Sequence, residues 1–154
     1  MDEIIYINKK CKLEFTICKH NHIWVYITLT MLDEMGNIVY TADTEDLMKI
    51  FMLDTGAENT IISKSRAMDF GYSHCEIKDR VRVSVGGGIL WCSKIEIPNI
   101  MLANNIVANK PVVLIPDDYS YNVNILGQDI LQLFNYYMDN QSKNIYFDKE
   151  KYGV

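Results

Sequence analysis

FMLDTGAENTIIS, residues Phe51 to Ser63, follows on from Ile50: a mostly apolar run to Leu53 enters Asp54-Thr55-Gly56-Ala57. After a short polar break the chain returns to an apolar pair, Ile61-Ile62. A strand that ends on a carboxylate, turns at a glycine and goes back into the core holds one acid in a fixed place. Asp and Thr side chains bond nearby backbone in such turns, and Gly56 lets the chain reverse without a Cβ clash. Three letters are also compatible with an ordinary Asx turn between two strands, so the choice depends on the rest of the chain.

Downstream, Arg80 to Val85 alternates, with Val81, Val83 and Val85 on one face and Arg80, Arg82 and Ser84 on the other. Gly86-Gly87-Gly88 follows, and Ile89, Trp91, Ile95 and Ile97 keep a period of two on the way back. This pattern predicts a β-hairpin with a glycine tip. The glycines do not form a phosphate loop, because no G-K-[ST] ending, G-x-G-x-x-G spacing or helix pattern accompanies them. Three glycines weaken a strand and free the backbone, which suits a mobile cover over a cleft. Trp91 is expected to pack in the core or at the hairpin base, or to shape a subsite. Farther on, NILGQDILQLF (Asn124 to Phe134) places an apolar pair, Ile125-Leu126, before Gly127. Ile130, Leu131, Leu133 and Phe134 then recur at helical spacing, predicting a helix of about two turns.

Most of the remaining chain reads as strand. Ile4 to Ile7, Lys12 to Cys18, Ile23 to Leu32, Leu47 to Leu53, Ile100 to Leu102 and Pro111 to Ile115 are β-branched or alternating. Ser63 can cap a short helix that ends before Gly71, Ser73 to Asp79 looks irregular, and Thr41 to Asp46 reads as an acidic surface loop. Tyr136 to Asp139 and Asn144 to Phe147 flank a polar turn, giving a C-terminal hairpin with a charged tail. Its alternating Ile145 and Phe147 make it the candidate for a subunit interface, since an edge strand needs a partner.

The 154 residues fit one domain, 1–154, and at 49% apolar they can build a core. Ten tyrosines and few alanines favour an all-β fold. A net charge of −5 without a Lys/Arg run argues against nucleic acid. No apolar stretch is long enough for a bilayer, and MDEIIYINKK does not resemble a signal peptide. Cys11, Cys18, Cys75 and Cys92 read as free thiols in a reducing compartment, which places the protein in the cytoplasm. A metal site from Cys11, Cys18, His20 and His22 matches no common zinc spacing, so no metal or other cofactor is expected.

Together, LDTGA (Leu53 to Ala57), the glycine hairpin and NILGQDIL (Asn124 to Leu131) resemble the retropepsin-like aspartic proteases. The order and spacing of the three elements carry the resemblance, which spans residues 47–147; residues 1–46 are a strand-rich elaboration. It implies a closed, all-β retropepsin-like barrel with a glycine-tipped flap and one short C-terminal helix. It also implies an aspartic endopeptidase. One D-T-G supplies one carboxylate, whereas this chemistry needs two around one water, so the resemblance implies a homodimer with an Asp54 from each subunit. Asp54 is then catalytic, with Thr55, Gly56 and Ala57 completing its turn. Glu58, Gly86, Gly87 and Gly88 bind a peptide or protein substrate, and Ile125, Leu126 and Gly127 pack beneath the turn. At Glu58 and Gln128, where many retroviral members carry a pairing Asp and Arg, a weaker hydrogen bond is expected. The alternative is an inactive dimeric module that binds peptides or protein partners, against which the intact D-T-G-A argues. Phosphotransfer through Asp54 is disfavoured, because Gly56 stands where a second Asp would be needed and strand–helix alternation is missing.

Overall fold

The computed structural model describes residues 3–6, 10–17, 20–39, 47–102 and 106–148. The acidic 41–46 segment, Cys18 and the tail beyond Asp148 lie outside them, as do the side chain of Cys11 and with it the cysteine half of the Cys/His cluster.

The chain is mostly strand. In order it forms β1 (Glu3–Tyr6), β2 (Lys10–Ile17), β3 (Ile23–Leu29), β4 (Met48–Leu53), α1 (Lys64–Asp69), β5 (Ile77–Val85), β6 (Gly88–Glu96), β7 (Asn99–Leu102), β8 (Ile106–Asn109), β9 (Val112–Pro116), β10 (Ile125–Leu126), α2 (Gln128–Leu131), β11 (Asn135–Asp139) and β12 (Asn144–Asp148). Nine strands share one sheet, ordered β1-β8-β7-β3-β2-β12-β11, with β4 on β3 and β10 on β4. The other sheet is β5-β6-β9. The two meet at Ile61, which bridges Leu114 of β9 on one side and Ile125 of β10 on the other.

Period-two patterning explains the main sheet. Val25, Ile27 and Leu29 of β3 are buried, while Tyr26 between them is exposed. The inward residues pack with Phe51, Ile62, Phe70, Tyr72, Leu126 and Ile145 in one core. The smaller cluster of Ile61, Cys92, Leu114 and Ile125 lies under the β5–β6 hairpin and packs against Val81, Val83 and Val85. Ser63 caps α1 as expected, its hydroxyl accepting from the Arg66 N–H at 3.4 Å.

Several details differ from the sequence reading. Strand β5 starts at Ile77, with a register shift before Asp79 that breaks the alternation. Strand β3 ends at Leu29, and Leu32 makes only a single bridge, to Ile38. Helix α2 is one turn long, because the chain passes into β11 at Asn135. Strand β12 is not an edge: it is paired on both sides, by β2 and β11, and Ile145 and Phe147 are buried in the subunit's own core. Their side chains are taken up within the subunit, and β11 is the strand of this hairpin that ends the sheet. Trp91 is 53% exposed instead of packed in the core, with the Arg82 guanidinium 5.5 Å from its ring centroid.

Candidate active site

Asp54 follows the last residue of β4, a strand fixed by antiparallel pairing to β3 and parallel pairing to β10. The Asp54 N–H donates to Leu126 O at 3.1 Å, so the carboxylate leaves the sheet at a defined point. Its Oδ1 accepts the Gly56 N–H at 2.9 Å, and its carbonyl accepts the Ala57 N–H at 3.2 Å. That closes the Asx-type turn expected from D-T-G. A Cβ on Gly56 would stand 3.3 Å from Asp54 Oδ1, tight against the group the turn presents. Thr55 and Gly56 are exposed, and Asp54 and Ala57 are half-buried.

A second layer holds this turn from behind. Gln128 N donates to Ala57 O at 2.8 Å and Asp129 N to Glu58 O at 3.1 Å. Gly127 makes that approach feasible, since a Cβ there would lie 2.6 Å from both the carbonyl carbon and the oxygen of Asn59. Glu58 and Gln128 are not paired as expected: the Gln128 side-chain amide donates instead to Thr55 O at 3.0 Å. The sequence reading also missed a buried lock. Thr60, 0% exposed, donates its N–H to Asp129 Oδ2 at 3.0 Å and its hydroxyl to Asp129 Oδ1 at 2.7 Å. The same hydroxyl accepts the Gly127 N–H at 3.1 Å. Burial pushes the Asp129 carboxyl above the usual range, and the Thr60 bonds offset part of this.

The turn lies in the lining of a cleft of about 990 Å³. Asp54, Gly56, Ala57 and Glu58 line it, with Ile125 beside them. Val81, Val83 and Val85 of β5 line it from the hairpin. At the hairpin tip Gly86 has φ +51° and Gly87 does not have positive φ, the pattern of a type II′ turn. Gly86 lines the cleft; Gly87 and Gly88 are exposed outside the lining, with Gly88 already in β6. Leu126 and Gly127 are buried behind the turn. At the hairpin base Arg80 forms a two-pronged ion pair with Asp117 and also reaches Ser93 Oγ at 3.3 Å. The Arg80 hydrogen bond holds the Asp117 carboxyl below the usual carboxylate range. Tyr121 also lines the cleft, in the loop after β9; burial first, then the nearby Cys92 and Asp54, pushes its phenol up. That loop had no sequence signal beyond polarity.

Residues 47–133 match the sequence family described as "gag-polyprotein putative aspartyl protease". The chain belongs to this family. Among solved structures, the chain is similar to a retropepsin-like aspartic protease from Rickettsia conorii, with a TM-score of 0.58 at 12% identity over 96% of this chain and 93% of that one. It is also similar to EIAV protease complexed with the inhibitor HBY-793, with a TM-score of 0.48 at 18% identity over 76% and 91%. No curated protein sequence matches it. The first likeness establishes the retropepsin-like fold for this member of the gag-type protease family. Among the described residues, no helix is long and apolar enough to cross a membrane.

Proposed function

We propose that the protein is an aspartic endopeptidase that acts as a homodimer, with the Asp54 carboxylates of two subunits activating one water. The observation that carries this reading is the position of Asp54: it is fixed by its own turn in the lining of an apolar cleft under a glycine-tipped hairpin, and each chain supplies one such acid. Two carboxylates that close do not both ionise readily. They share a proton, as in aspartic proteases generally, so one takes a proton from water while the other protonates the scissile carbonyl. The exposed Thr55-Gly56 turn is the part of the chain that meets the partner subunit. Ala57, Glu58 and Gly86 hold the peptide, with Gly87 and Gly88 giving the flap tip its freedom. Ile125, Leu126 and Gly127 support the turn.

The test is cleavage of a peptide library by the wild type and by Asp54→Asn, with sedimentation run on both. The reading expects cleavage by a wild-type dimer and a variant that stays dimeric and loses cleavage. Turnover by Asp54→Asn at the wild-type rate, or a fully active monomer, would refute it.

A further inference from the structure

One row of paired residues runs along the cleft from strand to strand. Trp24 on β3 pairs with Met52 on β4, and Met52 with Ile125 on β10. Ile125 bridges Ile61, and Ile61 bridges Leu114 on β9. Leu114 pairs with Lys94 on β6. Paired residues project to the same side of a sheet, and all six line the cleft. The alternation on β6 agrees: Cys92, two residues before Lys94, belongs to the cluster beneath the hairpin, whereas Ile95 belongs to the main core. Five apolar places are thus followed by one ammonium.

Lys94 is half-buried, and no ion pair within 4.0 Å involves it among the described residues. Asp79, its partner across β5, accepts the Arg80 N–H at Oδ1, 2.8 Å away. Glu58 is the other carboxylate that lines the cleft besides Asp54. A lysine stem can lie along an apolar neighbour such as Leu114 while its head reaches a charged group. An ammonium drawn partly out of water at the end of an apolar groove costs free energy unless an anion joins it.

We propose that Lys94 forms a subsite for a carboxylate side chain of the substrate, so that an acidic residue is selected at one position outside an apolar segment. This rests on the reading of the cleft as a peptide-binding site. Four strand spacings separate Lys94 from Met52 along the row, about 19 Å over the sheet surface. The acidic residue is therefore not one of the two that share the scissile bond but one farther out. In a symmetric dimer the same selection operates on both sides.

The experiment scans Glu, Gln and Lys through each flanking position of a peptide with an apolar centre. Peptide binding is measured by fluorescence anisotropy on the full-length Asp54→Asn protein, and cleavage on the wild type. At one flanking position Glu should be favoured over Gln by about tenfold in binding, and in kcat/KM. The Glu/Gln ratio should collapse to about one when Lys94→Met is added, and Lys94→Glu should turn the preference toward Lys. Equal binding of Glu and Gln peptides at every position would overturn the subsite, as would a Glu preference that survives Lys94→Met. Absence of cleavage by the wild type alongside a Lys94-dependent Glu preference in binding would count against the endopeptidase reading and leave the subsite standing.

Discussion

Thr60→Val removes one oxygen and nearly preserves shape, so it isolates the lock behind the Asp54 turn. Two bonds are lost: the hydroxyl bond to Asp129 Oδ1 at 2.7 Å and the bond from Gly127 N–H at 3.1 Å. The Thr60 N–H bond to Asp129 Oδ2 remains. A hydrogen bond to a charged acceptor contributes about 1.5–3 kcal/mol, and a buried N–H left without a partner costs about 1–3 kcal/mol, so the expected loss at pH 7 is about 3 kcal/mol. For a domain of this size that lowers Tm by about 6–12 °C. The loss should also depend on pH. Burial raises the folded-state pKa of Asp129 above its unfolded value, so the folded protein binds that proton more tightly. The stability controlled by this group is fully present below the unfolded value, about 3.9, and is lost as pH rises through the folded value. Thr60→Val removes a bond to the ionised form, raises the folded value further and deepens that loss. The gap between wild type and variant should be widest at neutral pH and narrow by about 1 kcal/mol or more below pH 4. Urea denaturation of both proteins at one fixed concentration measures it, since dimerisation makes stability depend on concentration. A gap that is the same at pH 4 and pH 7, or a loss below about 1 kcal/mol throughout, would refute the reasoning.

Gly127→Ala places a Cβ 2.6 Å from the Asn59 backbone; it should cost about 1–3 kcal/mol by overpacking and reduce cleavage more than Tm, because the displaced segment carries the Asp54 turn. Normal activity with a normal melting curve would contradict the close approach. Trp91→Ala should change stability by less than about 1 kcal/mol, since the ring is exposed and stacks on Arg82 at the surface; a loss typical of a core aromatic would show that the ring is buried in solution. Arg80→Met should speed hydrogen exchange of the β5–β6 amides while leaving the main-sheet amides unchanged, because the Asp117 pair ties only the hairpin base. Uniform exchange across both sheets would count against a local clamp.

The local patterns were legible where a few consecutive residues contain the whole cause. Asp54 closing on Gly56, Ser63 capping α1 and the valine alternation of β5 all follow from neighbours in sequence. What the sequence did not reveal depends on partners far away. Whether β12 is an edge depends on β2, more than a hundred residues earlier, arriving alongside it. The β8 strand, IVAN, is too short and mild to stand out and exists through pairing with β1 and β7. Thr60 and Asp129 are 69 positions apart, and a single Thr and a single Asp carry no periodic signal. Trp91 misled because its period-two position indicated only that it faces one side of the hairpin, not which side meets solvent. The Gln128 amide reaching Thr55 O shows the same limit: the resemblance located the residue, and the backbone geometry chose its acceptor.

Ile61 has a mechanical consequence. Its N–H and carbonyl are both spent on Ile125, at 2.9 and 2.8 Å, while the adjoining Ile62 N–H and Thr60 carbonyl are spent on Leu114, at 3.0 and 3.0 Å. A three-residue seam therefore stitches the hairpin sheet to the body, and it is the same stretch of chain that leads away from Asp54. If the seam opens, the cleft loses the backbone tie between its hairpin wall and the segment that leads away from Asp54, while Ile95, Val113 and Ile115 still hold the hairpin sheet against the main core. Opening of the seam is in that sense a local step, with an opening free energy that the amide exchange of Ile61 and Leu114 would report.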